Sequence, residues 1–491
     1  MTNLSRVKRA IASAALLLFA TQALATDPFT DFRGLWISRF DFNEDSASSI
    51  QNQINRAADM GITDVIWQVR GKADAYYNSN FEPNAEDWQG FVDPLQTAID
   101  TAHNRGLKLH AWINTMPIWR DTTQPNDPSH IFYNSNPSFR VTDINGNIES
   151  LPGGSSSFSG NYARVNHVLP EVQNHINNVV NDLATNYDVD GIHLDYIRWL
   201  GPSSQDGFQP TWDQLPHDAL SHQIYFNETG QNGADGSTLA KRNAYREWVK
   251  GKITELVETL DVTIDAAEVS EGRQIDFSAA VWNNPSTAEN TYLQDYRTWL
   301  ENDTFDIMIP MVYLRQSNNN LLDGFLNDIF STQTNTHISV GLGSYLHTPA
   351  EGGVAETIDQ MQRVYDNGNA DSLTFFAYGS LLDGSSLSNQ RRDAVVDWYD
   401  ALNNLPGDFN DDGIVDAADY TIWRDNWLSF GAPGDADGDG FVGNSDYDIW
   451  AANFGQTLGS SSNSESSAVP EPSAVLLAVL ALCAMKPRKR N

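Results

Sequence analysis

Two polar side chains interrupt an apolar run two residues apart: His193 and Asp195, in Val189-Asp190-Gly191-Ile192-His193-Leu194-Asp195-Tyr196-Ile197-Arg198. If the run is a strand, alternation puts both on one face. An inward carboxylate near the end of a buried strand is costly unless it is used or paired. Used, Asp195 would do acid–base or nucleophilic chemistry. Paired, it would sit in an ion pair with Arg198 or Arg70. His193 would contact a substrate, tune Asp195, or be a satisfied core histidine. Asp190, ahead of the strand, is expected to cap or pair locally.

Other polar residues fall at comparable places. On Lys108–Asn114 alternation groups His110, Trp112 and Asn114. Asp64–Arg70 ends on Arg70 with Asp74 just beyond, Asp306–Tyr313 ends on Tyr313, and Ser372–Gly379 has Tyr378 near its end. Gathered at strand ends, these residues would bind a substrate on a polar floor with aromatic walls. Aromatic faces stack on pyranose C–H groups, and fixed carboxylates stabilise an oxocarbenium-like transition state. Such chemistry normally uses two carboxyl groups. Asp195 is the first choice; Asp74 and Glu289 are the candidates for its partner. Asp295 reads as structural.

The elements that would position these groups alternate short apolar runs with amphipathic stretches. Eight strands are expected, at Arg33–Phe40, Asp64–Arg70, Lys108–Asn114, Gly191–Arg198, Asp276–Trp282, Asp306–Tyr313, His337–Tyr345 and Ser372–Gly379. Helices are expected between them, among others at Ser48–Met60, Pro94–Arg105, Pro170–Tyr187, Lys241–Leu260, Glu289–Leu300 and Gly353–Asn367. Eight βα units over residues 30–403 predict a (β/α)8 TIM barrel of the α/β class. An open doubly wound sheet is the runner-up, but no glycine-rich phosphate turn follows the first strand. Long connections follow the third strand (Thr115–Leu169) and the fourth (Trp199–Leu239), on the face where barrels build active sites. Their aromatics (Trp119, Phe132, Tyr133, Tyr162, Trp212, Tyr225 and Phe226) are expected to wall a cleft or cap the barrel rim.

Six ordered motifs carry a family resemblance. They are Phe32-Arg-Gly-Leu-Trp36, Asp74-Ala-Tyr-Tyr77, Asp93-Pro-Leu95, Ala102-His-Asn-Arg-Gly106 with His110-Ala-Trp-Ile-Asn114, Tyr187-Asp-Val-Asp-Gly-Ile-His-Leu-Asp195-Tyr196, and Pro310-Met-Val-Tyr313. Together they resemble the glycosyl-hydrolase-like family 10 proteins over nearly the whole barrel. The resemblance implies a TIM barrel and hydrolysis of a polysaccharide, peptidoglycan-like or another β-linked glycan, with no catalytic cofactor. The Asp190-to-Ile197 segment also resembles the Asp-Gly-x-x-x-Asp-x-Glu signature of chitinases, but Ile197 occupies the acid position.

Residues 407–456 hold an internal repeat with a 27-residue period. Calcium loops place oxygen ligands at positions 1, 3, 5, 7, 9 and 12, with glycine at 6. The first copy supplies Asp408, Asn410, Asp412, the Ile414 carbonyl, Asp416 and Asp419; the second supplies Asp435, Asp437, Asp439, the Phe441 carbonyl and Asp446, with Gly443 at position 9. Matching segments follow, Tyr420-x-x-Trp423-x-x-Asn426-Trp427 and Tyr447-x-x-Trp450-x-x-Asn453-Phe454. The pair resembles the dockerin type I module, which implies a small all-α unit, bound Ca2+, and a cohesin-type or cell-surface partner.

Composition narrows the partners. The chain has 491 residues and a formal net charge of −34. Residues 1–25 read as a signal peptide, with Arg6, Lys8 and Arg9 ahead of an apolar run and Ala23-Leu24-Ala25 as the cleavage site. After a Ser-rich linker (457–468), residues 469–491 run Val-Pro-Glu-Pro, an apolar stretch of about a dozen residues and a basic end. This package resembles the PEP-CTERM sorting signal and implies transient membrane association and delivery to the cell surface, envelope or matrix. The two terminal segments hold seven of the 30 basic residues and one of the 64 acidic ones, so the remainder is more acidic still. Such a surface argues against nucleic acid and favours neutral or mixed-charge substrates. The one cysteine, Cys483, leaves no disulfide to stabilise an exported chain. The leading expectation is a secreted glycoside hydrolase; the alternative is a non-catalytic cell-surface glycan-binding or scaffold protein.

Overall fold

The structure, a computed structural model, describes residues 28–134, 138–152, 162–199, 211–332, 334–403, 405–431 and 433–457. The expected signal peptide, the sorting segment with Cys483 and nearly all of the linker lie outside the described residues. The chain divides into two compact units, one over Pro28–Trp398 and one that includes the described residues from Tyr399 onward.

The first unit is a closed parallel barrel. In chain order the strands are β1 (Arg33–Ile37), β2 (Asp64–Arg70), β3 (Lys108–Asn114), β4 (Pro117–Trp119), β5 (Ala163–Arg164), β6 (Gly191–Asp195), β7 (Asp276–Trp282), β8 (Ile307–Val312), β9 (His337–Leu342) and β10 (Ser372–Phe375). Eight of them close in the order β1-β10-β9-β8-β7-β6-β3-β2, while β4 and β5 form a separate antiparallel ribbon inside the long connection after β3. All eight expected strands are present. A strand buried on both faces reads as a continuous apolar run, and every residue of Asp-Val-Ile-Trp-Gln-Val-Arg in β2 is buried.

Helices surround the barrel with recognisable start and stop signals. Asp93 caps Pro94–Asn104 by accepting from the Gln96 N–H, with Pro94 at the first helical position. The long helix Leu239–Glu271 runs past its expected end at Leu260 and stops at Gly272, which has φ +69°. The helix expected over Glu289–Leu300 is instead two, Pro285–Tyr292 and Tyr296–Glu301, broken where Leu293 takes φ +52°.

The barrel interior is filled in layers, as in other barrels of this size. Phe32, Trp36, Ile66, Trp112, Ala280, Ile307 and Ile309 make one apolar cluster, with Met311 and Phe376 packed against it. Gly191 is required for this filling, because a Cβ there would fall 2.2 Å from His110 Nδ1. In the second unit, helices Ala417–Asp425 and Asn444–Asn453 each follow an acidic loop.

Candidate active site

β6 ends at Asp195 because the next residue, Tyr196, turns into the left-handed region with φ +52°. The turn folds the Tyr196 N–H back onto Asp195 Oδ1 at 2.6 Å, and the Arg198 guanidinium reaches the same oxygen at 3.3 Å. Across the sheet Asp195 pairs in register with Asn114, the last residue of β3. It therefore lies at the C-terminal mouth of the barrel, 9% exposed. Burial pushes its carboxyl above the usual carboxylate range, with Arg198 and the Tyr196 N–H opposing.

Aromatic rings frame this carboxylate. Arg198 lies over the Tyr196 ring at 4.5 Å, and Tyr162 packs on Tyr196 at 5.5 Å. Tyr313, just past β8, stacks on Phe376 at 5.3 Å and meets Trp36 and Tyr345 edge-on. Burial holds the Tyr313 phenol protonated, and the negative Asp195 adds to the effect. Phe40, past β1, is 69% exposed beneath the guanidiniums of Arg39 and Arg120. The rim thus offers flat rings and hydrogen-bond donors around one buried acid, a surface suited to a sugar ring.

The other expected site residues are distributed differently. His193 lies fully buried below the mouth. It accepts from Trp36 Nε1 at 3.1 Å, so its proton is on Nδ1, which donates to Ser278 Oγ at 2.9 Å. Burial lowers its pKa well below the usual value and keeps it neutral, so it is a core hub and not a substrate contact. His110 lies deeper, beside the first residues of β2 and β6, and is tied to Asp64 at 2.9 Å; the polar floor does not include it. Trp112 belongs to the apolar core and donates to Asn114 Oδ1, while Asn114 Nδ2 donates to Gly71 O.

Arg70 is held by Glu82 through two bonds of 2.8 Å and by the carbonyls of Asn114 and Thr115. It is committed there, and Asp195 pairs with Arg198 instead. Burial would raise the Glu82 carboxyl, but Arg70 and His175 outweigh it and hold it well below the usual range. Tyr378 is buried, its phenol within the influence of Arg56 on the outer helix Ala47–Asp59, and so leaves the floor. Asp190 pairs locally, with His103 and the Leu109 N–H.

The two candidates for the second carboxyl separate clearly. Glu289 is held by Lys250 at 2.7 Å on the helix Pro285–Tyr292, which commits it to an ion pair. Asp74 is wholly buried, accepts the Lys72 N–H on Oδ1, and leaves Oδ2 without a hydrogen bond. Burial raises its pKa to about 6, with Lys72 and Arg39 opposing. Lys72 lies between Asp121, at 2.5 Å, and the Trp119 ring, at 4.0 Å.

Of the loop aromatics, Tyr162 reaches the Asp195 frame. Phe132 is buried under Arg140, and Trp212 and Tyr225 join a separate cluster with His217 and Tyr245. Tyr196, Tyr345, Phe376 and Asp41 are rim residues that the sequence reading did not select, and Arg198 is the one of its two expected partners that Asp195 takes. Each stands within a few residues of a strand's C-terminal end, and that position is the available signal.

In the second unit, Asp435, Asp437 and Asp439 bring ligand oxygens within 4.8 Å of one another. Asp435 Oδ1 is buried with no hydrogen-bond partner. In both loops the twelfth residue is fully buried: Asp419 accepts from the N–H groups of Phe409, Asn410 and Asp416, and Asp446 from those of Ala436, Asp437 and Gly443. An all-oxygen set of this charge fits a hard divalent cation.

Residues 31–349 match a family model described as glycosyl hydrolase-like 10. Glycosyl hydrolase DigH of Escherichia coli (strain K12) is 24% identical over 324 residues, covering 57% of this chain and 65% of the relative. Glycosyl hydrolase YngK of Bacillus subtilis is 23% identical over 349 residues, covering 64% and 61%. The chain thus spans somewhat less than two thirds of these relatives. The glycoside hydrolase domain of PgaB (BpsB) from Bordetella bronchiseptica superposes with a TM-score of 0.54 at 12% identity, over 74% of this chain and 98% of that domain. The catalytic domain of β-amylase from Paenibacillus polymyxa gives 0.50 at 12% identity, over 77% and 100%. At such identities the likeness is one of fold.

Proposed function

The chain belongs to the glycosyl hydrolase-like 10 family, and from that premise we propose that its barrel hydrolyses O-glycosidic bonds of a polysaccharide, peptidoglycan-like or another β-linked glycan. The observation that carries this reading is Asp195, a carboxylate at the C-terminal mouth, flanked by Tyr196, Tyr313 and Arg198. In this reading Asp195 acts on the anomeric centre as one of the two carboxyl groups such hydrolysis uses. Tyr196 and Tyr313 line the sugar ring, and Arg198 sets the charge state of Asp195. Asp74 is the proposed partner. A carboxyl near pKa 6 is partly protonated at neutral pH, as a general acid requires.

Reducing ends released from a polysaccharide panel test the proposal. The parent should cleave at least one member, and Asp195→Asn should lose about 10³-fold or more in kcat, with binding kept. A variant as active as the parent would remove Asp195 from the mechanism.

We further propose that residues 407–456 form a dockerin type I-like module. Asp408, Asn410, Asp412, Asp416 and Asp419, then Asp435, Asp437, Asp439 and Asp446, would hold Ca2+ with the carbonyls of Ile414 and Phe441. The buried, unpartnered Asp435 Oδ1 supports this. The cation would supply folding energy to a small unit and takes no part in hydrolysis. A cohesin-type or cell-surface partner and export to the surface or matrix follow as proposals from the sequence of the module and the two termini.

A further inference from the structure

A cavity of about 450 Å³ opens on the mouth side of the barrel between the ends of β1, β9 and β10, with Ser38, Asp41, Tyr345, Phe376, Gly379 and Ser385 in its lining. It borders the Asp195 frame through packed rings. Phe376 stacks on Tyr313, which lies beside Asp195, and Tyr345 meets both of these rings edge-on. Tyr345 is half exposed where it lines this opening.

One carboxylate serves this space. Asp41 Oδ2 accepts both the Ser38 N–H at 2.8 Å and the Ser38 hydroxyl at 2.6 Å. Those two bonds fix the carboxylate, and the backbone of Gly379, which lines the same cavity, also interacts with it and lies beside Oδ1. The charged groups nearby are already engaged. Arg391 gives its guanidinium to Thr357, Ser380 and His347, and Asp383 accepts from Ser385 and Ser388. The cavity therefore presents the Asp41 acceptor and aromatic faces, and the cation in its lining, Arg391, has all three guanidinium nitrogens already bonded to Thr357, Ser380 and His347.

We propose that this cavity is a second sugar-binding subsite, which takes an uncharged pyranose unit of the chain whose cleaved bond lies at Asp195. Asp41 accepts hydrogen bonds from its hydroxyl groups, and Tyr345 and Phe376 pack against its C–H face. The proposal rests on the hydrolase reading of Asp195 and adds to it the preference for an uncharged unit at this distance from the cleaved bond. Asp41 is a specificity residue here: it binds the sugar away from the reacting atoms.

The test measures binding by calorimetry on the full chain carrying Asp195→Asn, so that no probe is consumed. Probes are cello-, chito- and xylo-oligosaccharides of two to six units, with oligogalacturonides of the same lengths as charged comparators. In at least one neutral series affinity should rise about tenfold once the chain is long enough to enter the cavity. Adding Asp41→Asn should remove that rise, a loss of the size expected for a hydrogen bond to a charged acceptor. Ser385→Trp, at an exposed rim position, should remove it by filling the space and covers the case in which Asp41→Asn fails to fold. Length dependence that survives both variants, oligogalacturonides binding as tightly as the neutral series, or no binding by any probe would each overturn the subsite. If the parent releases reducing ends while the variants keep the length dependence, the subsite alone fails. If Asp41-dependent binding comes with no reducing ends from the parent, the hydrolase reading alone fails.

Discussion

Arg198 is three residues past Asp195 and is its one ion-pair partner among the described residues. Its charge lowers a pKa that burial raises, so Arg198→Ala should let the Asp195 pKa climb further. Whichever limb of the pH–rate profile Asp195 governs should then move to higher pH, and an unmoved profile would dissociate the two residues. Asp74 makes a stability prediction with a definite sign. Its folded pKa of about 6 exceeds the unfolded value, so the native state binds the extra proton between about pH 4 and pH 6. The carboxyl therefore costs the fold nothing below that window and progressively more as pH rises through it. Asp74→Asn should stabilise the barrel by up to about 3 kcal/mol at pH 8 and by almost nothing at pH 4. Melting temperatures at the two pH values give the comparison, and an equal change at both would be evidence against a perturbed carboxyl.

At the scale of elements, β1, β6 and β7 are joined inside the barrel by Trp36, His193 and Ser278. His193→Phe would leave the Trp36 indole N–H buried without an acceptor and should cost about 1–3 kcal/mol in urea unfolding. A neutral result would mean that the histidine is replaceable packing. The strands themselves were readable because a parallel barrel buries both faces and so shows each strand as a bounded apolar run. The Asp195 position followed from the same alternation. Alternation gives a face but not a depth, however. His110 and His193 point inward as expected, yet His110 is fixed by Asp64 near the start of β2 and His193 by Trp36 in the middle layer. Partners outside the strands decided other differences: Glu82 took Arg70 and Lys250 took Glu289. Asp41 escaped notice because its role depends on a cavity formed with β9 and β10, hundreds of residues later in the chain.

At the scale of the whole molecule, the two compact units should answer differently to metal removal. In calorimetry of the full chain, a chelator should lower the transition of the C-terminal acidic repeat and leave the barrel transition in place; no chelator effect on either would refute calcium as a structural ligand. The barrel has a different dependence, on its own closure. β1 pairs with β10, Arg33 opposite Leu373, so the first strand made during synthesis waits for the last. Until residues 372–375 leave the ribosome, β1 and β9 each present an unpaired edge, the template on which nascent chains misassociate. Translation speed through the second half of the barrel, and the holding chaperones available meanwhile, should therefore govern soluble yield more than the stability of the finished fold, and products that stop short of Ser372 should accumulate as aggregates.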